Sequence, residues 1–378
     1  GVTMSKKLCI LLLAFALLIP NMSFATDASS IMQIQREPDL LFLIDTFQYI
    51  KSIYPFEIED EQLIEGGLKG MLQTIDPYSN YYTPEEAIEI YKSLYGEFTG
   101  IGVYIEEKDS YINIKDVIKG APSEKAGLQK DDLIISIDDK DIKGISLDNA
   151  HEMIQGQEGT KVKLGIRRGK KSKPIYIEVT RENVVKDPLE YEILENEIGY
   201  IKLYEFSQSS AAEMERVLEE LDGKGITQII LDLRDNPGGL LDQAIEISRQ
   251  FIPAGPIVHI KEKNKELVTH ISTNKTPKYK LIVLVNENSA SASEIVAGAI
   301  KDTKVGTIIG KKTFGKGIVQ SVIPLDNGGL LKLTTAEYLT PKKTSIHGIG
   351  IQPDIVVENK TNEDLQLKRA MKEIRAKK

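Results

Sequence analysis

KLIVLVNENSASASEIVAGAI, Lys280 to Ile300, sets the fold class of this chain. Leu281 to Val285 is an unbroken apolar run, the pattern of a strand buried on both faces. Asn286-Glu287-Asn288 then turns the chain, and a helix of small and apolar residues follows. A strand that enters a helix through a short polar turn is the unit of a layered α/β sheet. Ser289, Ser291 and Ser293 stand at that turn. There the helix leaves backbone N–H groups unpaired, and its dipole favours negative charge. Such a place suits acyl transfer, which must stabilise an oxyanion. At about 100° per residue, Ser289 and Ser293 share the face of Val296 and Ile300 and point to the core, and Ser289 is also placed as an N-cap. Ser291 falls on the other side with Glu294 and Gly298. Taken alone, the stretch reads more readily as capping serines than as a nucleophile, since serine at a helix start is usually a cap.

The alternation extends to both sides of this segment. IGYIKLYEF, TQIILDLR, IVHIKEK and GTIIG read as strands, and SSAAEMERVLEEL and GLLDQAIEISRQFI as helices. Residues 185–378 therefore form an α/β core. It ends in NEDLQLKRAMKEIRAKK, which reads as a solvated amphipathic surface helix. Residues 99–184 differ: GVYIEE, YINIKDVI, DLIISIDD, KVKLGIRR and PIYIEVT are short alternating strands around one helix, SLDNAHEMIQGQ, and make a small β-rich module. Residues 26–98 read as helical. Leu41, Ile44, Phe47 and Ile50 keep a helical period. Leu63, Ile64, Leu68, Met71 and Leu72 form a second stripe after a capping Asp60. A third helix opens at Thr83-Pro84, a cap followed by Pro in the first turn.

The chain has 378 residues, 41% hydrophobic and 28% charged, an ordinary globular balance. A formal net charge of −8 argues against a nucleic-acid partner. Lys6 and Lys7, the apolar run Leu8–Ile19 and Ser23-Phe24-Ala25 make a secretory signal peptide over residues 1–25, cleaved after Ala25. The run is about 12 residues, short of the ~20 a spanning helix needs. The protein is thus expected outside the cytoplasm, in the periplasm or cell envelope, touching a membrane only if that segment stays uncleaved. Cys9, the single cysteine, lies within the signal. The mature chain is left with no disulfide, thiol nucleophile or cysteine-bound metal.

A serine nucleophile needs a base. The four histidines, His151, His259, His270 and His347, have ordinary neighbours. A buried lysine is the known substitute. In KKTFGKGIVQ, Lys316 stands between Gly315 and Gly317, which would let the backbone approach closely. Lys311 and Lys312 read as solvated. ILDLRDNPGGLLDQAI supplies a second glycine turn at a strand end, where α/β sheets place their sites. By itself each element has a plain reading, as a surface turn or a helix cap.

Together, LDLRDNPGG, NENSASASEIVAGAI, TFGKGIVQ and IHGIGIQPDI resemble the carboxyl-terminal processing (tail-specific) proteases, Ser-Lys peptidases with a PDZ domain before the catalytic core. EFTGIGVYI and GAPSEKAGLQKDDLIISID look like the opening and centre of that PDZ domain, and the match runs in order over nearly the whole mature chain. The resemblance implies Ser291 as nucleophile, Lys316 as general base and Gln320 as its assistant. It implies an oxyanion hole from the N–H of Ala292 and of Gly238 or Gly239. The loop Thr99-Gly100-Ile101-Gly102-Val103 would hold the carboxylate of an apolar substrate tail that adds as a strand. Asp302, also named in older assignments for the family, is expected to be structural. Where the family usually shows Asp-Pro-His-Ser, this chain has Asp76-Pro77-Tyr78-Ser79, a departure bearing on local packing. The expectation is a serine endopeptidase of protein tails, with no metal, nucleotide or other cofactor and with a homo-oligomer left open. The alternatives are a PDZ binding scaffold with a silent core, which an activity assay would separate, and an acyl-CoA-handling fold, which the PDZ-like insert disfavours.

Overall fold

The computed structural model describes residues 38–169, 172–195, 197–275, 277–360 and 363–376. The expected signal segment, residues 1–25, lies outside them. Among the described residues no helix is long and apolar enough to cross a membrane. The chain divides into two compact units, one of residues up to 87 with 320–335, the other of 88–319 with 336–378.

In the second unit, six strands form a sheet in the order Leu189–Leu194, Ile198–Leu203, Gln228–Asp232, Lys280–Val285, Gly306–Gly310, Ile355–Val356. The first pair is antiparallel and the remaining pairs parallel. Strands buried on both faces need apolar residues at odd and even positions alike. On one face Leu231, Val283 and Val285 pack with helices Ser210–Gly223, Leu241–Phe251 and Ala292–Thr303. On the other, Ile230, Ile282 and Leu284 pack with Ala370 and Ile374 of helix Leu365–Ala376. That terminal helix is therefore a structural layer, which corrects its reading as a solvated helix. Arg234 fixes it further: its guanidinium pairs with buried Asp232 and reaches Asp364 at 2.8 and 2.9 Å. A surface-like composition hid this face because only Gln366, Ala370 and Ile374 are buried. The strand Leu189–Leu194 is an addition to the sequence reading.

Strands Val103–Lys108, Tyr111–Val117, Leu133–Ile137, Lys161–Arg167 and Ile175–Thr180 form a second sheet in that order, with helix Leu147–Ile154 over its own core. Its entry and exit pair as a ribbon, Glu97–Gly100 with Glu182–Val185. The β-rich module is thus an insertion whose two ends are held together.

In the first unit, Asn80–Tyr82 pairs with Leu330–Lys332, and fully buried Tyr81 accepts a hydrogen bond from Asn327. Asp76 explains the Asp-Pro-Tyr-Ser turn: one carboxylate oxygen accepts the N–H of Tyr78 and of Ser79, both at 2.7 Å. The turn uses the backbone of Tyr78, so it does not require histidine there. Thr83 and Glu86 cap the next helix reciprocally, the Thr83 N–H reaching Glu86 at 2.8 Å. Helix Pro38–Ile53 buries none of its residues, and in Asp60–Gln73 only Leu72 is buried. The periodic stripes exist, but the described unit supplies little to cover them.

At the end of one central strand, Gly310 has φ 133°, and a Cβ there would lie 1.9 Å from the carbonyl oxygen of Val285. Gly310→Ala should destabilise the chain by on the order of 3 kcal/mol, measured by denaturant unfolding; an unchanged midpoint would refute this packing.

Candidate active site

Ser291 precedes helix Ala292–Thr303 with φ 52° and ψ −111°. A non-glycine residue holds such a backbone only when its surroundings impose it. They do so from both sides. Ala290 donates its N–H to Asn236 O at 3.0 Å. Ser289 Oγ donates to Leu233 O at 2.7 Å and accepts the Asn286 N–H at 2.9 Å. Ser293 Oγ donates to Asn236 O at 3.0 Å. Both flanking serines are fully buried and staple the turn to the Leu-Arg-Asp-Asn-Pro-Gly-Gly segment. Ser289 is accordingly not the N-cap: the left-handed kink delays the helix by two residues, and Ser291 takes that position.

Glu294 is the residue the sequence reading did not single out. It is fully buried. Its Oε2 accepts the N–H of Ser291 at 2.9 Å and of Lys316 at 2.8 Å. Its Oε1 accepts Thr313 Oγ1 at 2.5 Å and the Gly315 N–H at 2.7 Å. One carboxylate thus joins the helix start to the Gly-Lys-Gly segment. Buried Tyr338 adds a second tie, its hydroxyl lying 2.9 Å from Ser291 O and 2.8 Å from Lys316 O. Burial, with Glu294 nearby, holds this phenol well above its ordinary range, so it remains a donor.

The Gly-Lys-Gly segment is no surface turn. A Cβ on Gly315 would lie 3.0 Å from Gly350 N, and one on Gly317 2.7 Å from His347 N. The Ile-His-Gly-Ile-Gly loop passes that closely, which is why both neighbours of Lys316 are glycine. Lys316 itself is half-buried. Lys311 pairs with Glu287 at 2.8 Å and Lys312 is exposed.

The second glycine turn meets the first element directly. A Cβ on Gly238 would lie 2.9 Å from Ser291 Cβ and 3.0 Å from Ala292 N. Buried Asn236 shapes this turn, accepting the Gly238 N–H at 2.9 Å through Oδ1 and donating through Nδ2 to Leu203 O at 2.9 Å. Phe206 holds the other side, its N–H on Gly238 O at 2.9 Å and its O accepting Leu240 N–H at 2.8 Å. Asn236 and Phe206 carried no motif signal of their own.

Gln320 falls in the first unit, half-buried, with Nε2 donating to Thr334 Oγ1 at 3.3 Å. Asp302 accepts the Lys342 N–H at 3.0 Å. Both ring nitrogens of His259 are engaged, by Thr269 and Pro341 O, and burial with nearby Arg249 lowers the pKa of His270. A cavity of about 590 Å³ at the carboxyl ends of the sheet is lined by Tyr200, Lys202, Asp232, Arg234 and others, and by neither Ser291 nor Lys316. Among the described residues no cluster of three or more His, Cys, Asp and Glu could hold a metal. Of the expected tail loop, Thr99 and Gly100 lie in strand Glu97–Gly100 and Val103 opens the next strand; Ser123 anchors the Ile101–Gly102 link, donating its N–H to Ile101 O and its hydroxyl to Gly102 O, each at 2.8 Å. Thr99 is buried and accepts from Lys92 at 2.7 Å.

A carboxy-terminal-processing protease from Bartonella bacilliformis is 40% identical over 321 residues, 83% of this chain and 74% of the relative. The chain belongs to peptidase family S41. Within this family of carboxy-terminal processing serine proteases, it is also 39% identical to the carboxy-terminal processing protease CtpA of Bacillus subtilis, over 82% of this chain and 67% of that one. The S41 peptidase family model matches residues 197–357, a PDZ domain model 114–168, and the CtpB N-terminal domain model 23–86. Among solved structures, the photosystem II D1 C-terminal processing protease superposes with a TM-score of 0.53 at 26% identity, covering 85% of this chain and 94% of that one. These matches favour the S41 serine protease over the silent scaffold.

Glu294→Ala should cost about 3 kcal/mol or more, because four donors, two of them fully buried, lose their acceptor, and Tyr338→Phe about 1–2 kcal/mol. Chemical denaturation of the two variants checks the order; equal stabilities would contradict the Glu294 tie.

Proposed function

We propose that this S41 peptidase cleaves exported proteins at or near their C-terminal tails with Ser291 as nucleophile and Lys316 as general base. The observation that carries the reading is the shared oxygen of Glu294, which holds the backbones of both residues at 2.9 and 2.8 Å. Neutral Lys316 takes the Ser291 Oγ proton as the oxygen attacks the scissile carbonyl carbon. The C–N bond breaks, the amine leaves with that proton, and water hydrolyses the resulting ester.

The oxyanion is held by the N–H of Ala292 and of Gly239. Between the two glycines, the Gly238 N–H is already committed to Asn236. The substrate tail is held by the Thr99–Val103 loop of the PDZ domain. Among the described residues, no protein acceptor is recorded for the N–H of Ile101 or Gly102, which would leave both for a carboxylate. The signal reading of residues 1–25 supports an extracytoplasmic location. Exposed Leu41, Phe42 and Ile44 support a homo-oligomer through helix Pro38–Ile53.

Ser291→Ala and Lys316→Ala should each lower the turnover of a tailed protein substrate by at least about 10³-fold, while tail binding persists. Mass spectrometry of the products and anisotropy of a labelled tail check the two halves; retained cleavage by either variant sinks the assignment. Asn236→Ala should lower kcat by about 10–100-fold with little change in KM, as loss of an oriented oxyanion donor does; a KM effect alone would contradict its role.

A further inference from the structure

The tail groove has an acidic far end. Strand Val103–Lys108 has a single partner in its sheet, Tyr111–Val117, so among the described strands its other edge is open. Helix Leu147–Ile154 packs alongside that strand. Val103 and Ile105 of the strand, with Leu147 and Met153 of the helix, pack partly buried against the module's core. They give the groove an apolar floor.

The loop that would take the carboxylate lies at the start of the strand. A tail held there runs antiparallel to the strand, with its last residue opposite Val103. Side chains alternate, so Val103, Ile105 and Glu107 share one face. At Glu107 the floor ends. Its carboxylate reaches across to the first helical residue and accepts the Leu147 N–H at 3.2 Å. The remaining charges of the strand end are used elsewhere: Glu106 accepts from Asn113 at 3.0 Å and Lys108 pairs with Asp131 at 3.5 Å. Among the described residues, no lysine, arginine or histidine forms an ion pair with Glu107.

We infer that Glu107 is a specificity residue that closes the groove and selects a Lys or Arg at the fifth position from the substrate's C-terminus, behind an apolar end. The inference rests on the tail-binding reading of the same loop. Two residue pairs of strand set the apolar segment, and the carboxylate meets the residue four places upstream of the terminal one. A cation there pairs with an acid that has only a backbone N–H for a partner.

The test uses the full chain carrying Ser291→Ala, which keeps peptides uncut. Fluorescent decapeptides with one apolar C-terminal sequence carry Lys, Gln or Glu at the fifth position from the end, and anisotropy gives each Kd. The Lys peptide should bind about five-fold more tightly than the Glu peptide, with Gln between, the scale of a partly exposed ion pair. Adding Glu107→Gln should abolish the order while the Gln peptide binds within about two-fold of its former Kd, and Glu107→Lys should invert it. Equal binding of the three peptides, or an order that survives both substitutions, overturns the inference while the tail reading stands. Binding that is indifferent to amidation of the C-terminus, or no binding at all, overturns the tail reading and this inference with it.

Discussion

The buried carboxylate of Glu294 is the interaction on which the site depends. A charge removed from water is costly unless hydrogen bonds replace its solvation. Here four donors do so: the N–H groups of Ser291, Gly315 and Lys316, and the Thr313 hydroxyl. Two of them come from residues that are distant in sequence and must meet for a Ser-Lys pair to exist. The same bonds that satisfy the carboxylate therefore set the geometry. Tyr338 repeats the arrangement with the opposite polarity, a buried donor between the carbonyls of Ser291 and Lys316.

Around that centre, the strained backbone of Ser291 is kept in place by ordinary hydrogen bonds from both flanks. Ser289 and Ser293 fasten its turn to Leu233 and Asn236, and Asn236 in turn fixes the glycine turn that approaches Ser291. The close approach leaves no room for a Cβ on Gly238. Groups positioned before substrate arrives need not reorganise during a reaction, which is the advantage the proposed oxyanion site would draw from this turn. The parallel strands supply the platform, since the glycine turn, the serine turn and the Gly-Lys-Gly segment follow the carboxyl ends of strands Gln228–Asp232, Lys280–Val285 and Gly306–Gly310.

Much of this was legible in the sequence, for physical reasons that differ by residue. The run Leu281–Val285 announced a strand buried on both faces, and it is one. Gly315 and Gly317 announced a close backbone approach, and the loop at His347–Gly350 makes it. Glu294 was not legible, because an acid in a first helical turn is usually a solvated dipole partner; only the tertiary meeting with Gly315 and Lys316 buries it. Helix phase pointed Ser289 and Ser293 to the core, where both are buried, but misplaced the cap at Ser289, since phase assumes a regular helix and Ser291 has a positive φ. The terminal helix looked solvated because its buried stripe is narrow. Asn236 and Phe206 act through backbone groups of a turn, which leave no periodic trace.

Of the three serines in the stretch, Ser291 alone should be activated, and by Lys316. The most direct measurement is labelling of the purified chain with a fluorophosphonate, in which the attacking hydroxyl displaces fluoride, followed by peptide mapping. A single adduct on Ser291 is expected, formed about 100-fold more slowly in Lys316→Ala. An adduct on Ser289 or Ser293, or a labelling rate that ignores Lys316, would contradict it.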